Sequence, residues 1–230
     1  MDRRASVRGT MALIVCVVAG CDLPEPAPGV PTPSSRAPTP VRPTKPTSPT
    51  DLTEPTRPTP PLVAAARSQI GRTVLYDPSY VGLAYPGGDV PIDRGVCTDV
   101  VIRALRDAFD LDLQRLVHED MKSAFASYPT IWGLKRPDRN IDHRRVPNLR
   151  RYFERQGYAL AVRMDKGRFL PGDLVTCTVA NRPHIMIASD RYGRAGIPLV
   201  IHNIGRGARE EDRLLEFPLT GHYRIQAPPK

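Results

Sequence analysis

Cysteine is scarce in this chain. Its 230 residues include four cysteines, and two of them, Cys16 and Cys21, fall within the first 21 residues. The remaining pair, Cys97 and Cys177, could form one disulfide in an exported protein or stay unpaired. A bridge would consume the one cysteine that is placed to act as a nucleophile, so we expect both thiols to be free.

Long apolar runs are also lacking. The run at residues 11–20 follows a basic segment and is too short to span a bilayer as a mature helix. A basic segment, a short apolar run and small residues before Cys21 are typical of a signal peptide, here residues 1–20. The segment VAGC resembles the lipobox of bacterial lipoproteins, which implies that Cys21 is lipidated. An ordinary signal peptide with an incidental cysteine is the alternative.

Residues 21–61 lack the apolar side chains that a folded core needs. They hold 14 of the 26 prolines, together with Thr, Ser, Ala and scattered charges. Such a composition favours an extended, disordered tether with much polyproline II character. Residues 62–230 remain for one globular domain, which is long enough to bury a substantial core.

Nucleic-acid and metal motifs are missing as well. The formal net charge of +9 suits a polyanionic partner such as nucleic acid or a bacterial wall polymer. The sequence has no zinc-finger spacing and no aromatic–basic RNA signature, and export argues further against nucleic acid. Histidines 143, 184, 202 and 222 could build a zinc site with nearby aspartates, but no HExxH motif supports a metal-dependent hydrolase. We therefore expect no metal and no cofactor.

What the sequence does contain is a set of helical patterns followed by a set of short strands. Apolar periodicity predicts helices over 62–71, 97–109, 112–127 and 147–157. The β-type runs are ALAVRM, DLVTCTVA, HIMIASD, LVIHNIG and GHYRIQ. This order predicts an α+β domain in which an antiparallel sheet packs against the N-terminal helices, the cysteine helix among them.

Cys97 stands at the start of a helical pattern. In GVCTDVVIRALRDAF, apolar residues recur at helical spacing, and Thr98 and Asp99 are typical of a first turn. Backbone N–H groups and the positive end of the helix dipole would then face the sulfur. A helix start and an adjacent imidazole lower a thiol pKa from about 8.5 into the range of roughly 3.5–7.5. The alternative is a small core residue, which is what we expect of Cys177.

A cysteine nucleophile needs a base, and the predicted strands supply candidates. His184 opens the strand HIMIASD, and His202 lies on the next strand, LVIHNIG. Adjacent antiparallel strands can bring two such side chains to one edge of a sheet. A helix-start cysteine at that edge would complete a set of nucleophile, base and orienting group. His118 and His222 are expected to be surface residues or satisfied core residues.

Longer motifs resemble a known family. PGDLVTC, HIMIASD and LVIH resemble the papain-like cysteine peptidases of the NlpC and p60 superfamily. The segments YDPSYVGLAYPGGDVP, RGVCTDVVIRALR, VHEDM, NIDHRRVPNL, HNIG and GHYR resemble one bacterial family of that clan, domain of unknown function 1287, over nearly all of 71–224. The chain departs from typical superfamily members in two ways: VCTD replaces Asp-Cys-Ser-Gly around the nucleophile, and the gap from Cys97 to His184 is longer.

The resemblance implies a papain-like fold and a catalytic set. Cys97 would be the nucleophile, His184 the base and His202 the third residue, which orients the base. Asn203 competes with His202 for the third role, and only one of them can fill it, because neighbouring residues on a strand point to opposite faces.

Further residues are candidates for binding substrate. The backbone N–H of Cys97 would form part of an oxyanion hole, and Tyr85 is our choice for its second donor. Asp99, His143 and Arg144 are candidates for substrate contact. The polar cluster at residues 142–145 could line the cleft and bind an anionic group, or it could cap a helix.

Together these features predict a lipid-anchored cysteine hydrolase in the bacterial cell envelope. We expect a monomer that cleaves an amide bond in peptidoglycan or another wall polymer and that touches the membrane only through its N-terminal lipid. One alternative is a non-catalytic wall-binding module of the same fold. Another is an acyltransferase or amidase with a different envelope substrate, because the same acyl-enzyme serves both outcomes.

Overall fold

The computed structural model describes residues 58–226, so the expected signal peptide, the lipidation site at Cys21 and nearly all of the tether lie outside the described residues. Helices dominate the first half of this region and strands the second. The α-helices are α1 (Pro61–Arg67), α2 (Cys97–Phe109), α3 (Leu113–Ala124) and α4 (Val146–Arg155). Short 3₁₀ turns span Phe125–Ser127, Asp142–Arg144 and Lys166–Arg168.

The strands form two sheets. They are β1 (Leu75–Tyr76), β2 (Arg94–Gly95), β3 (Ala159–Leu160), β4 (Leu174–Val179), β5 (Arg182–Tyr192), β6 (Pro198–Asn203), β7 (Ala208–Glu211) and β8 (Leu219–Tyr223). Strands β1 and β2 pair in parallel, and the other six form an antiparallel sheet in the order β3-β8-β4-β5-β6-β7. Strand β5 is therefore central, with β4 on one side and β6 on the other.

Helix α2 forms where apolar residues recur at helical spacing, and it buries that face against the sheet. Val100, Val101 and Leu105 are fully buried in one cluster with Ile185 and Ile187 of β5. Each such side chain contributes about 1.5–3 kcal/mol through its removal from water. The packing places the first residue of α2 against the N-terminal part of β5.

The opposite face of the sheet packs on a second, smaller cluster. Val175 and Cys177 of β4, Met186 of β5 and Val200 of β6 are buried there beneath Leu214. The alternation along β5, with Ile185 on the helix side and Met186 on the other, is what a strand buried on both faces requires.

The α+β class and the antiparallel sheet packed on helices are confirmed. The helix predicted over 62–71 ends at Arg67, and the run ALAVRM contributes only the two residues of β3. The sequence prediction missed β1, β2 and β7. All three are short, and each of them forms by pairing with a neighbour rather than through an apolar run of its own. Within residues 58–226, no helix has both the length and the apolarity to cross a bilayer.

Candidate active site

Cys97 is the first residue of α2, and Asp99 fixes the turn that contains it. The backbone N–H of Asp99 donates to the carbonyl of Val96 (3.1 Å), and the N–H of Val96 donates to Oδ2 of Asp99 (2.6 Å). The carboxylate therefore satisfies the backbone at the helix start. Gly95 precedes this turn with φ of +155°, and a Cβ there would lie 3.0 Å from the Asp99 side chain. Only glycine fits this conformation without strain.

Arg144 holds Asp99 in place. Its Nε and one terminal nitrogen donate to the two carboxylate oxygens, each at 2.9 Å, and both side chains are almost fully buried. The other contacts of Arg144 are the backbone carbonyls of Asp77 and Ser79. Asp99 and Arg144, which we predicted as substrate contacts, are bonded to each other and to backbone groups, and Arg144 also borders the space in front of Cys97. Their contacts position the Cys97 turn.

The Cys97 sulfur occupies a gap in the sheet. The ladder between β5 and β6 begins at the pair Ile187–Ile201 and does not include Ile185. The N–H of Ala188 points toward the β4 side and donates to the carbonyl of Asp173, the residue before β4. Because successive N–H groups of a strand point to opposite sides, the N–H of Ile185 points toward β6. Sγ of Cys97 accepts that N–H, together with the N–H of Thr98. The sulfur thus replaces the missing strand partner and lies beside the peptide bond that joins residues 184 and 185.

The acid–base state of Cys97 differs from the expectation of a lowered pKa. Burial raises the pKa of this thiol to about 12, and the negative charge of Asp99 acts in the same direction. The N–H groups of Ile185 and Thr98 oppose the rise but do not outweigh it. The resting residue is a neutral thiol, 4 % exposed, and is not a preformed thiolate. Cys97 and Cys177 are both free, as predicted.

The two predicted histidines meet directly. Nε2 of His184 lies 2.8 Å from Nδ1 of His202, and both rings are buried. Nε2 of His202 lies 2.9 Å from Oε2 of Glu211, a residue that the sequence analysis missed. Burial lowers the pKa of His184 to about 3, and burial also lowers the pKa of His202 despite the opposing effect of Glu211. Both imidazoles are therefore neutral near pH 7.

The Cys97 sulfur and the His184 ring lie on opposite faces of β5. Strand alternation sets the His184 side chain on the face of Met186, while the sulfur reaches the gap from the helix side. Among residues 58–226, no hydrogen bond links Sγ to an imidazole nitrogen. The structure thus joins His184 to His202 by a side-chain contact and brings Cys97 to the peptide unit that follows His184.

Asn203, the alternative to His202 for orienting His184, contacts backbone groups instead. Its amide nitrogen donates to the carbonyls of Gly95 (2.9 Å) and Leu75 (3.3 Å), and its Oδ1 accepts from the N–H of Gly205 (3.1 Å). These contacts tie β6 to the paired strands β1 and β2, directly before the cysteine. His202 is the residue that contacts His184, and Asn203 anchors the backbone on the opposite face.

An open cleft of about 310 Å³ leads to Cys97. Its walls are largely apolar and include Tyr76, Val96, Ile131, Trp132, Ile141, Val146, Pro147 and Pro183. Two arginines, 144 and 145, also line it. Arg145 stacks over the Trp132 ring at 4.2 Å and pairs with Asp142 at 3.0 Å. A bound molecule would therefore meet a mainly apolar surface next to a guanidinium group.

The tyrosine that lines this cleft is Tyr76, whereas the predicted Tyr85 lies elsewhere. Tyr85 packs edge-on against the His118 ring and lies under Arg139. Tyr76 lines the cleft, and its pKa is raised by burial and further by its proximity to Cys97. The signal that could have identified it is weak: Tyr76 lies on a two-residue strand that pairs with Gly95.

His143 and the remaining histidines are structural. His143 is buried behind the cleft with its Nδ1 unpartnered, and burial lowers its pKa to about 4, so substrate contact is not supported. His222 is hydrogen-bonded to Asp173 at 2.7 Å. In the described part of the chain, no cluster of three His, Cys, Asp or Glu side chains could hold a metal ion.

Comparison with known proteins identifies the family. The family model described as "Domain of unknown function (DUF1287)" matches residues 63–225. A relative from Escherichia coli (strain K12), described as "Uncharacterized protein YijF", is 56% identical over 160 residues, which make up 69% of this chain and 78% of the relative. The family match spans nearly all of the described residues, and the chain therefore belongs to the DUF1287 family.

Proposed function

We propose that this protein is an exported cysteine hydrolase that cleaves an amide bond in a cell-wall peptide through an acyl-enzyme. The observation that carries the proposal is the position of Sγ of Cys97. The sulfur faces an open cleft, at the start of a helix, and hydrogen-bonds the N–H that directly follows His184. His184 is in turn hydrogen-bonded to His202. Nucleophile, base and orienting residue thus come from three adjoining elements.

The reaction begins with proton transfer inside this set. Since thiol and imidazole are both neutral at rest and do not contact each other directly, Nδ1 of His184 takes the proton of Cys97 through a bridging water in the gap between β5 and β6, as the sulfur attacks the substrate carbonyl carbon. The resulting oxyanion accepts hydrogen bonds from the backbone N–H of Cys97 and from the hydroxyl of Tyr76. His184 then gives its proton to the leaving amine, and a thioester remains.

Hydrolysis completes the cycle by the reverse sequence. A water molecule gives a proton to His184 and attacks the thioester carbonyl, and the sulfur leaves as the carboxylic acid product forms. His184 returns the proton to Cys97. If an amine or hydroxyl of another substrate replaces the water, the same acyl-enzyme makes the protein an acyltransferase.

The arrangement supports a papain-like fold of the NlpC and p60 type. Helix α2 begins with the cysteine and packs on an antiparallel sheet, β5 carries His184 near its start, and the adjoining β6 carries His202. This is the order of elements that the sequence motifs imply for the superfamily. The chemistry of these residues, rather than the fold alone, is what the proposal depends on.

The cell wall is the proposed location of the substrate. The lipobox at Cys21 and the proline-rich segment that follows it would tether the domain to a membrane at an adjustable distance from the wall. The net charge of +9 favours anionic polymers, and the cleft beside Cys97 presents Arg145 to a bound group. Peptidoglycan stem peptides, which combine aliphatic side chains with carboxylates, suit such a surface.

Digestion of purified peptidoglycan tests the proposal. The protein is expected to release soluble peptide fragments, identified by mass spectrometry, and Cys97→Ala is expected to release none while retaining its circular dichroism spectrum. Cys177→Ala is the matched thiol control: Cys177 is buried on the sheet face away from Cys97, where it pairs with His184 across β4 and β5, and its loss should leave activity in place. Equal release by the wild type and Cys97→Ala would refute the proposal.

A non-catalytic wall-binding module is the second candidate, and one observation favours it. Cys97 is almost fully buried, with a raised pKa, as an inert core thiol would be. This candidate predicts that the protein co-sediments with peptidoglycan, that Cys97→Ala binds equally well, and that no fragments appear.

A further inference from the structure

Glu211 extends the histidine pair to a chain of three residues. It is the last residue of the edge strand β7, and its Oε2 lies 2.9 Å from Nε2 of His202. The His202 side chain is fully buried, whereas Glu211 is about 30% exposed. A guanidinium nitrogen of Arg213 lies 3.9 Å from the same carboxylate oxygen. The carboxylate is therefore placed to act on the histidines without touching the cleft.

The chemistry of these contacts fixes where each proton lies. An ionised carboxylate only accepts hydrogen bonds, so Nε2 of His202 must carry a hydrogen. A neutral imidazole has one N–H, which leaves Nδ1 of His202 as an acceptor. Nε2 of His184 is 2.8 Å away and must then be the donor. It follows that Nδ1 of His184 holds a free lone pair.

The opposite arrangement would disable the base. If His202 carried its hydrogen on Nδ1, that N–H would donate to Nε2 of His184, and the single hydrogen of His184 would sit on its Nδ1. A protonated Nδ1 cannot take the proton of a thiol. The His184–His202 contact by itself permits both arrangements, and only the carboxylate distinguishes between them.

We propose that Glu211 is a positioning residue, which fixes the tautomers of His202 and His184 so that Nδ1 of His184 is free to accept a proton. The role rests on the proposed function, since the free lone pair serves the Cys97 thiol. The neutrality of both rings, which burial maintains, is what makes the tautomer decisive. Removal of Glu211 leaves both tautomers accessible.

Nitrogen-15 NMR of the full-length protein with labelled histidine tests this directly, because protonated and unprotonated ring nitrogens resonate far apart. The His184 and His202 signals are assigned with His184→Gln and His202→Gln. In the wild type, Nδ1 of His184 should be unprotonated. In Glu211→Ala it should move toward the protonated position, and iodoacetamide should alkylate Cys97 about 10- to 100-fold more slowly at pH 8.

Two further variants keep the test specific. Glu211→Gln should also shift the tautomers, because its amide can donate to His202 as well as accept. Glu216→Ala is the control: this neighbouring carboxylate pairs with Arg213 without bonding a histidine, so the tautomers should not change. A protonated Nδ1 in the wild type, or unchanged tautomers in folded Glu211→Ala, would overturn the inference.

The NMR measurement needs no substrate, which separates the two proposals. If peptidoglycan is not cleaved but Glu211→Ala still shifts the tautomers, the proposed function fails and the positioning role stands. If cleavage requires Cys97 but Glu211→Ala changes neither the tautomers nor the alkylation rate, the positioning role fails alone.

Discussion

Removal of the Asp99 carboxylate should destabilise the protein strongly. In Asp99→Ala, the guanidinium of Arg144 loses both 2.9 Å contacts while its side chain stays 2% exposed. An unpaired buried charge costs about 3–5 kcal/mol, and the lost contact with the N–H of Val96 adds about 1 kcal/mol. A domain of this size should then unfold roughly 8–24 °C lower, at about 2–4 °C per kcal/mol.

The double variant separates the ion pair from the rest. Asp99→Ala combined with Arg144→Met removes both charges and keeps an apolar side chain in the Arg144 site. The double variant should therefore lose less free energy of unfolding than Asp99→Ala alone. Urea unfolding followed through Trp132, the one tryptophan of the chain, gives the free energies. The buried-pair reasoning would be refuted if Asp99→Ala lowered the free energy of unfolding by less than about 1 kcal/mol. It would also be refuted if the double variant lost the sum of what Asp99→Ala and Arg144→Met lose separately.

Three further predictions concern pH, the oxyanion donor and the backbone anchor. Burial holds the pKa of His184 at about 3 and that of His143 at about 4, below the ordinary 6.5. Below pH 6.5 these two side chains therefore bind more protons in the unfolded chain than in the folded protein. The free energy of unfolding should therefore fall on acidification by up to about 1.4 kcal/mol per pH unit for each ring; equal urea midpoints at pH 7 and pH 5 would contradict this. Tyr76→Phe should lower the rate of fragment release about 100-fold with little change in KM, whereas Tyr80→Phe, which alters an exposed hydroxyl, should not. Asn203→Ala removes the side-chain hydrogen bonds to the carbonyls of Gly95 and Leu75 and should cost about 1–3 kcal/mol by urea titration; no measurable loss would show that these contacts do not anchor the strands.

The sequence predicted the parts of the fold that have strong local patterns. Helix α2 carries a helical apolar periodicity, strands β4, β5 and β6 coincide with short apolar runs between turn residues, and their place in the α+β fold is confirmed. Strands β1 and β7 carry no such pattern. Strand β1 forms by pairing with β2, and β7 forms by pairing with the preceding strand β6, so neither is marked by an apolar run of its own.

Within the site, residue types could be predicted but environments could not. The contact between His184 and His202 follows from their places on adjacent strands. The raised pKa of Cys97 could not be predicted, because it depends on how completely the surrounding chain excludes water. Tyr76 was missed for a similar reason: β1 brings it to the cysteine through pairing with Gly95.

The central claim is that the His184 imidazole acts on the Cys97 sulfur across the gap between β5 and β6. The most direct test is the rate at which iodoacetamide alkylates Cys97 at pH 7.5, followed by peptide mass spectrometry in the wild type, His184→Ala and the control His118→Ala. Loss of a general base should slow alkylation about 100-fold in His184→Ala and leave His118→Ala unchanged. Equal rates in the wild type and His184→Ala would contradict the account.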